Sequence, residues 1–150
     1  MQGIARTGSG KTLAFVLPSI IHIMAQPDLR PGDGPVAVIL APTRELAKQV
    51  QEVAEQFGKP CGVNTVAVYG GADKRSQIGA LERGAHIVVA CPGRLLDLIQ
   101  SGKNSIKNFI FNPSGLSHQL IVFLDFAKKW LNVAKLKARI EASRQIISNF

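Results

Sequence analysis

Residues 36–47 read VAVILAPTRELA, and the architecture of the chain turns on how they are parsed. The first five are apolar and rich in β-branched side chains, and they read as a buried strand. The chain then turns, and Thr43 stands where a helix N-cap belongs, with Arg44 and Glu45 in the first helical turn. A strand that passes within three residues into a helix is the elementary step of an alternating α/β fold.

The same step recurs on either side. TVAVY (65–69), HIVVA (86–90) and LIVFL (120–124) read as further strands. Helical patterns are expected at about 11–25, 44–57, 75–83, 93–100 and 127–147. Strand–helix alternation of this kind implies a parallel sheet covered on both faces. At 150 residues the chain holds one domain with a real core, and not comfortably two. A loop is expected from Pro31 to Pro35. One stretch breaks the rhythm: SGKNSIKNFIFNPSGLSHQ (101–119) is rich in Asn and Ser and far longer than most connections in α/β units. It reads either as an insertion or as a departure from the expected course.

Composition narrows the class. With 46% hydrophobic and 19% charged residues, the chain reads as an ordinary soluble globular protein. The net charge of +8 is unevenly spread: residues 1–100 carry ten Lys/Arg against eight Asp/Glu, and residues 101–150 carry eight against two. A basic C-terminal third favours a polyanion, or it reflects a plain loss of acidic residues. Cys61 and Cys91 form no CxxC pair and stand near no histidine cluster, which argues against zinc and against a disulfide framework. A reducing location, nucleus or cytoplasm, is expected. The stretch LAFVLPSIIHIMA (13–25) has the look of a signal-peptide core, but Pro18 and His22 interrupt it. Its apolar residues 13, 17, 20, 21 and 24 follow helical spacing, so an amphipathic helix explains it better. No stretch is long enough to span a bilayer, and no membrane partner is expected.

Residues 5–12, ARTGSGKT, carry most of a phosphate-loop pattern: Thr7, Gly8, Ser9, Gly10, Lys11 and Thr12 fit, and Ala5 replaces the first glycine. Glycines let successive N–H groups converge on phosphate oxygens at a helix N-terminus, whose dipole favours anions. Lys11 would reach the β- and γ-phosphates, and Thr12 would offer its hydroxyl to Mg²⁺. A helix-capping turn needs no G-S-G-K-T, so that blander reading is the weaker one. Alone, the motif says only nucleotide binding.

Other turns add to it. Pro42, Thr43 and Arg44 follow the strand 36–40, and Gly70 and Gly71 follow the strand 65–69. CPGRLLDLI (91–99) places Pro92 near the first helical position, with Gly93 and Arg94 after it. Together these turns put N–H groups and two arginines on the C-terminal edge of one parallel sheet, where doubly wound folds bind ligands. An extended phosphodiester could lie across that edge, held by contacts that do not read bases.

In this order and at these intervals, ARTGSGKT, PTRELA, GG and PGRL resemble the first RecA-like domain of a DEAD-box RNA helicase, over residues 1 to about 108. The resemblance implies a RecA-like parallel α/β domain, incomplete here, that fills residues 1–150, with 109–150 divergent. It implies ATP and Mg²⁺ as cofactors and RNA as partner, with RNA-processing proteins as further partners. Residues 7–12 would serve the nucleotide, and Pro42, Thr43, Arg44, Gly70, Gly71, Pro92, Gly93 and Arg94 the RNA backbone. Cys91 stands where the family usually has threonine; a thiol is a poor donor, so one phosphate contact is weakened.

The family's Asp-Glu-Ala-Asp motif finds its counterpart in Asp125-Phe126-Ala127-Lys128. Asp125 would then be the magnesium-linked aspartate, with Lys11 and Asp125 as the catalytic pair; it reads equally well as a strand-end or helix-cap residue. Phe126 replaces the glutamate that would activate water, and such general-base help is typically worth ~10²–10⁴ in rate. Lys128 replaces the last acid. Met1 lies six residues before Thr7, so the adenine-reading segment is expected to be absent, as are the Ser-Ala-Thr motif and the second RecA-like domain with its arginine finger. A truncated, spliced or frameshifted helicase gene is one reading of the change after Lys107. The expected function is therefore ATP and RNA binding, with RNA unwinding lost or very weak in this chain alone. The alternative is a non-catalytic RNA- or protein-binding module. A small kinase fits badly, since PTRELA and PGRL would have no job there.

Overall fold

The computed structural model describes residues 10–29 and 33–100, and the backbone of residues 120–123. Helix α1 (Lys11–Met24) leads to strand β1 (Ala37–Leu40), followed by α2 (Arg44–Gly58), a 3₁₀ turn (Lys59–Cys61) and β2 (Thr65–Val68). Then come α3 (Lys74–Glu82), β3 (Ile87–Ala90), α4 (Pro92–Gln100) and β4 (Leu120–Phe123). The four strands form one parallel sheet in the order β2-β3-β1-β4. Each expected strand is present: the first three are each one residue shorter than expected, at one end, and the fourth is described over Leu120–Phe123. The expected stretches 101–119 and 127–147 lie outside the described residues, and the loop at Pro31–Pro35 is described only from Asp33.

Parallel strands with helices on both faces have no solvent side, which is why these segments are continuous apolar runs instead of alternating ones. All four residues of β1 and of β3 are buried. Val38, Leu40, Val88 and Ala90 face one way and pack with Ile78 and Leu81 of α3 and Leu95, Leu98 and Ile99 of α4. Ala37, Ile39, Ile87 and Val89 face the other way, against Val16, Ile20 and Ile23 of α1 and Ala47, Val50 and Ala54 of α2. Two core layers thus clamp the sheet, and the helices hold the strand ends in register.

Helix α1 turns a different face inward than its sequence suggests. Val16, Ile20 and Ile23 are buried, whereas Leu17, Ile21 and Met24 are exposed. Pro18 sits inside the helix without ending it, and Ser19 Oγ donates to the Phe15 carbonyl at 2.7 Å. Among the described residues, no helix is long and apolar enough to cross a membrane.

Candidate functional site

The C-terminal ends of β1, β3 and β2 are joined beyond the strands themselves. The Ala41 N–H donates to the Ala90 carbonyl at 2.9 Å, and the Cys91 N–H to the Val68 carbonyl at 2.7 Å. Three turns therefore leave the sheet side by side: residues 41–43, 69–73 and 91. Each enters a helix whose first-turn amides point back at the same edge. Helix α1 precedes β1 in the chain and packs on the sheet face that carries Ala37, Ile39, Ile87 and Val89.

Gly10 is the N-cap of α1 and adopts the left-handed conformation, φ 71°, that a side chain resists. No side chain caps this helix end and no acidic residue occupies its first turn. Its amides, with the exposed Lys11 and the half-buried Thr12 beside them, form a donor set suited to an anion. The rest of the expected cradle, Thr7, Gly8 and Ser9, lies outside the described residues. So do Asp125 and Phe126; β4 is described to Phe123, paired with Leu40. Among the described residues, no cluster of three or more His, Cys, Asp or Glu could hold a metal ion.

The turn after β1 is built as its sequence predicts. Thr43 caps α2, its Oγ1 accepting from the Leu46 N–H at 3.2 Å. Arg44 is half exposed and is held only loosely, with Nε 3.5 Å from the Glu45 carboxylate, which is itself exposed. Its Nη1 lies where Gly71 has no side chain: a Cβ built there would come within 2.8 Å of it. Gly71 also needs its left-handed φ of 78°. Lys48, one turn along α2, stands 5.6 Å over the Tyr69 ring, a distance at which its ammonium feels the ring's negative face.

Gly70 and Gly93 differ from Gly71. A Cβ at either would meet nothing within 4 Å, and neither has a positive φ. Nothing inside the described structure asks for glycine there.

Arg94 is engaged within the protein. Its Nη1 donates to the Ala72 carbonyl at 3.1 Å and to Gln77 Oε1 at 3.4 Å, while Nε lies 3.8 Å from Asp97. Its side chain is only 15% exposed. The same Gln77 donates through Nε2 to the Tyr69 carbonyl at 2.9 Å, and Lys74 reaches Asp97 at 3.1 Å. Gln77 was not among the expected site residues. Its one sequence signal is a polar residue on the inward helical face, next to buried Ile78 and Leu81.

Cys91 is half-buried, and both burial and the nearby Glu45 charge push its thiol above the ordinary value, so it stays protonated near neutral pH. Its carbonyl accepts from the Leu95 N–H at 3.0 Å, which makes it the cap position of α4. A groove of about 760 Å³ runs along the outer edge of β2 between α2 and α3. It is lined by Tyr69, Ala72 and Asp73 of the 69–73 loop and by Ser76 and Gln77 in the first turns of α3, and by none of the residues at the N-termini of α1, α2 or α4.

Known proteins supply the comparison. The family model of the DEAD/DEAH box helicases matches residues 1–142. The chain is 54% identical over 109 residues to the probable ATP-dependent RNA helicase ddx17 of Dictyostelium discoideum, covering 73% of this chain and 14% of that protein. It is 56% identical over 107 residues to human DDX17, covering 71% of this chain and 15% of that one. It is 54% identical over 111 residues to the ATP-dependent RNA helicase DBP2 of Scheffersomyces stipitis, covering 74% and 21%. The chain thus spans between about a seventh and a fifth of the length of these relatives. Among solved structures, the yeast DEAD-box splicing factor Prp28 matches with a TM-score of 0.65 at 28% identity, over 92% of this chain and 39% of that one. The RNA helicase Prp28 from Chaetomium thermophilum bound to ADP matches with a TM-score of 0.63 at 32% identity, over 91% and 38%. A parallel α/β sheet, the turns along its edge and these matches agree: the chain is RecA-like in fold and belongs to the DEAD/DEAH box helicase family.

Proposed function

We propose that this chain binds ATP with Mg²⁺ through residues 7–12 and grips an RNA backbone along the C-terminal edge of its sheet, with hydrolysis and unwinding lost or very weak. On this reading residues 1–150 are one partial ATP-binding domain acting in the nucleus or cytoplasm. The observation that carries the RNA reading is the pair Gly70 and Gly93, which no contact among the described residues and no dihedral explains. A glycine in a helical first turn costs up to about 1 kcal/mol relative to alanine. Close approach of a backbone from outside gives both glycines a reason, beside Arg44 and the first-turn amides of α2 and α4.

The nucleotide reading is supported by the uncapped N-terminus of α1 and by the relative that is described as bound to ADP. Lys11 would neutralise the phosphates and Thr12 would offer a hydroxyl to the ion. ATP, when bound with Mg²⁺, supplies the phosphoryl group for hydrolysis. The residues of this chain bind and orient it. Asp125 is the proposed magnesium-linked carboxylate. Phe126 next to it can neither accept a proton nor orient water, and that single residue favours binding without turnover.

Two measurements test this. Calorimetry with ADP and Mg²⁺ is expected to show binding that Lys11→Ala abolishes; equal affinity in both would reject the cradle. RNA binding is expected to be indifferent to sequence and to weaken steeply with salt, because phosphate contacts release counterions. Arg44→Ala lowers the salt slope by about 1, with no change in thermal stability. Affinity insensitive to salt would reject the phosphate-gripping edge.

A further inference from the structure

The glycine pair 70–71 is the most conformationally free segment of the candidate edge, yet both of its flanking carbonyls are pinned. Gln77 Nε2 holds the Tyr69 carbonyl at 2.9 Å and Arg94 Nη1 holds the Ala72 carbonyl at 3.1 Å. The two pins touch each other, with Arg94 Nη1 3.4 Å from Gln77 Oε1. A glutamine with one donor and one acceptor is the link between them. It is 7% exposed, so its amide competes with little solvent. Outside this bracket, the Lys74–Asp97 pair ties α3 to α4, and Asp97 also stands 3.8 Å from Arg94 within α4.

We propose that Gln77 is a positioning residue for RNA: it does not touch the ligand, but it fixes the 69–72 loop so that the Gly70 and Gly71 amides are presented together. This rests on the RNA reading above. Backbone donors bind a phosphate well only if their geometry is set beforehand, since an unfixed loop must be ordered by the ligand itself. Gln77 can do this because its two ends have different jobs. The N–H end fixes where the loop begins, and the oxygen end orients the guanidinium that fixes where it finishes. If Gln77 only filled space among Ile78 and Leu81, an apolar residue of the same shape would serve as well.

The test compares the whole chain with Gln77→Met, close in shape but without either hydrogen bond, and with Gln77→Glu, which keeps the acceptor for Arg94 and loses the donor to Tyr69. Three quantities are read: amide exchange of Gly70 and Gly71 against Val88 and Val89 in β3, affinity for a single-stranded oligouridylate, and affinity for ADP with Mg²⁺. In Gln77→Met the glycine amides are expected to exchange faster while β3 is unchanged. RNA affinity falls about tenfold, the scale of a lost buried hydrogen-bond network, and ADP affinity holds. Gln77→Glu shows the same split with a smaller change in exchange, and it carries the comparison if Gln77→Met does not fold. Unchanged glycine exchange in both variants overturns the bracket. Faster exchange with wild-type RNA affinity overturns the positioning role and leaves the RNA reading standing. A wild-type chain that binds no oligouridylate removes the RNA reading itself, and the positioning role with it.

Discussion

Replacing Cys91 by threonine tests the α4 turn in a way the structure makes quantitative. Cys91 occupies the cap position of α4, its carbonyl accepting from the Leu95 N–H at 3.0 Å. The N–H groups that a cap side chain can reach are those of Gly93 and Arg94, since Pro92 has none. A thiol is a weak acceptor, and this one is kept neutral by burial and by the Glu45 charge. The molecule contains its own reference: Thr43, at the same position of α2, accepts from the third helical N–H, Leu46, at 3.2 Å. In α4 the equivalent donor is Arg94. Supplying a hydroxyl there should be worth roughly 1 kcal/mol, within the usual range of about 0.5–2 kcal/mol for a cap. For a chain of this size that raises the melting midpoint by about 2–4 °C. The hydroxyl can accept from Arg94 and still donate outward, so RNA binding should also tighten, by roughly 2- to 10-fold for one added hydrogen bond. The control is Cys91→Val, which has the shape of threonine without its oxygen. Thermal and urea denaturation of the three proteins is the assay. If the threonine variant is no more stable than the valine variant, Cys91 is not the cap and the argument fails.

Other consequences are as definite. His86 Nδ1 accepts from the Asn64 N–H at 3.1 Å, and burial lowers its pKa against an opposing pull from Asp28. A lowered folded-state pKa gives stability that is complete above the unfolded value, about 6.5, and is lost as pH falls through the folded value; His86→Gln should flatten that acid-side loss, and matching pH profiles would refute it. Gly71→Ala should cost about 1–2 kcal/mol for its left-handed φ, whereas Gly70→Ala should leave stability within about 0.5 kcal/mol, Gly93→Ala should raise it by up to about 1 kcal/mol, and both should weaken RNA binding; a stable Gly71→Ala would contradict the loop geometry. Restoring Phe126→Glu with Lys128→Asp should tighten Mg²⁺-dependent nucleotide binding, with turnover still low unless a second RecA-like domain is added; unchanged affinity would leave Asp125 as a plain strand-end residue.

The sheet was legible because of its burial. Strands covered on both faces must be apolar at every position, and VAVIL and HIVVA are so at nearly every residue, with turn residues at their ends. The inward face of α1 was not legible for the same kind of reason. Apolar residues surround the helix, so the stripe 13, 17, 20, 21, 24 looked as good as the buried set Val16, Ile20, Ile23. Which side faces a sheet is decided by where the chain must go next, and hydrophobicity alone does not carry that. The caps were easier: Thr43 acts locally, on an N–H three residues away, so its role could be read without the fold.

The two arginines show where motif reading stops. Arg44 and Arg94 each follow a strand by a few residues, and both were expected on RNA. Counted from their caps, however, Arg44 is the first helical residue and Arg94 the third, a difference of about 200° around the helix axis. Arg44 ends half exposed beside Gly71, held among the described residues by a long contact to an exposed glutamate. Arg94 ends at 15% exposure on a carbonyl 22 positions away in sequence. A motif states residue type and interval; it does not state whether the donors are already in use. Gln77 was missed for the matching reason, since its partners are a carbonyl eight residues back and a guanidinium seventeen ahead. Of the two arginines, Arg44 keeps its donors more open to a polyanion, and Arg94 spends one nitrogen on the Ala72 carbonyl and Gln77 and another beside Asp97.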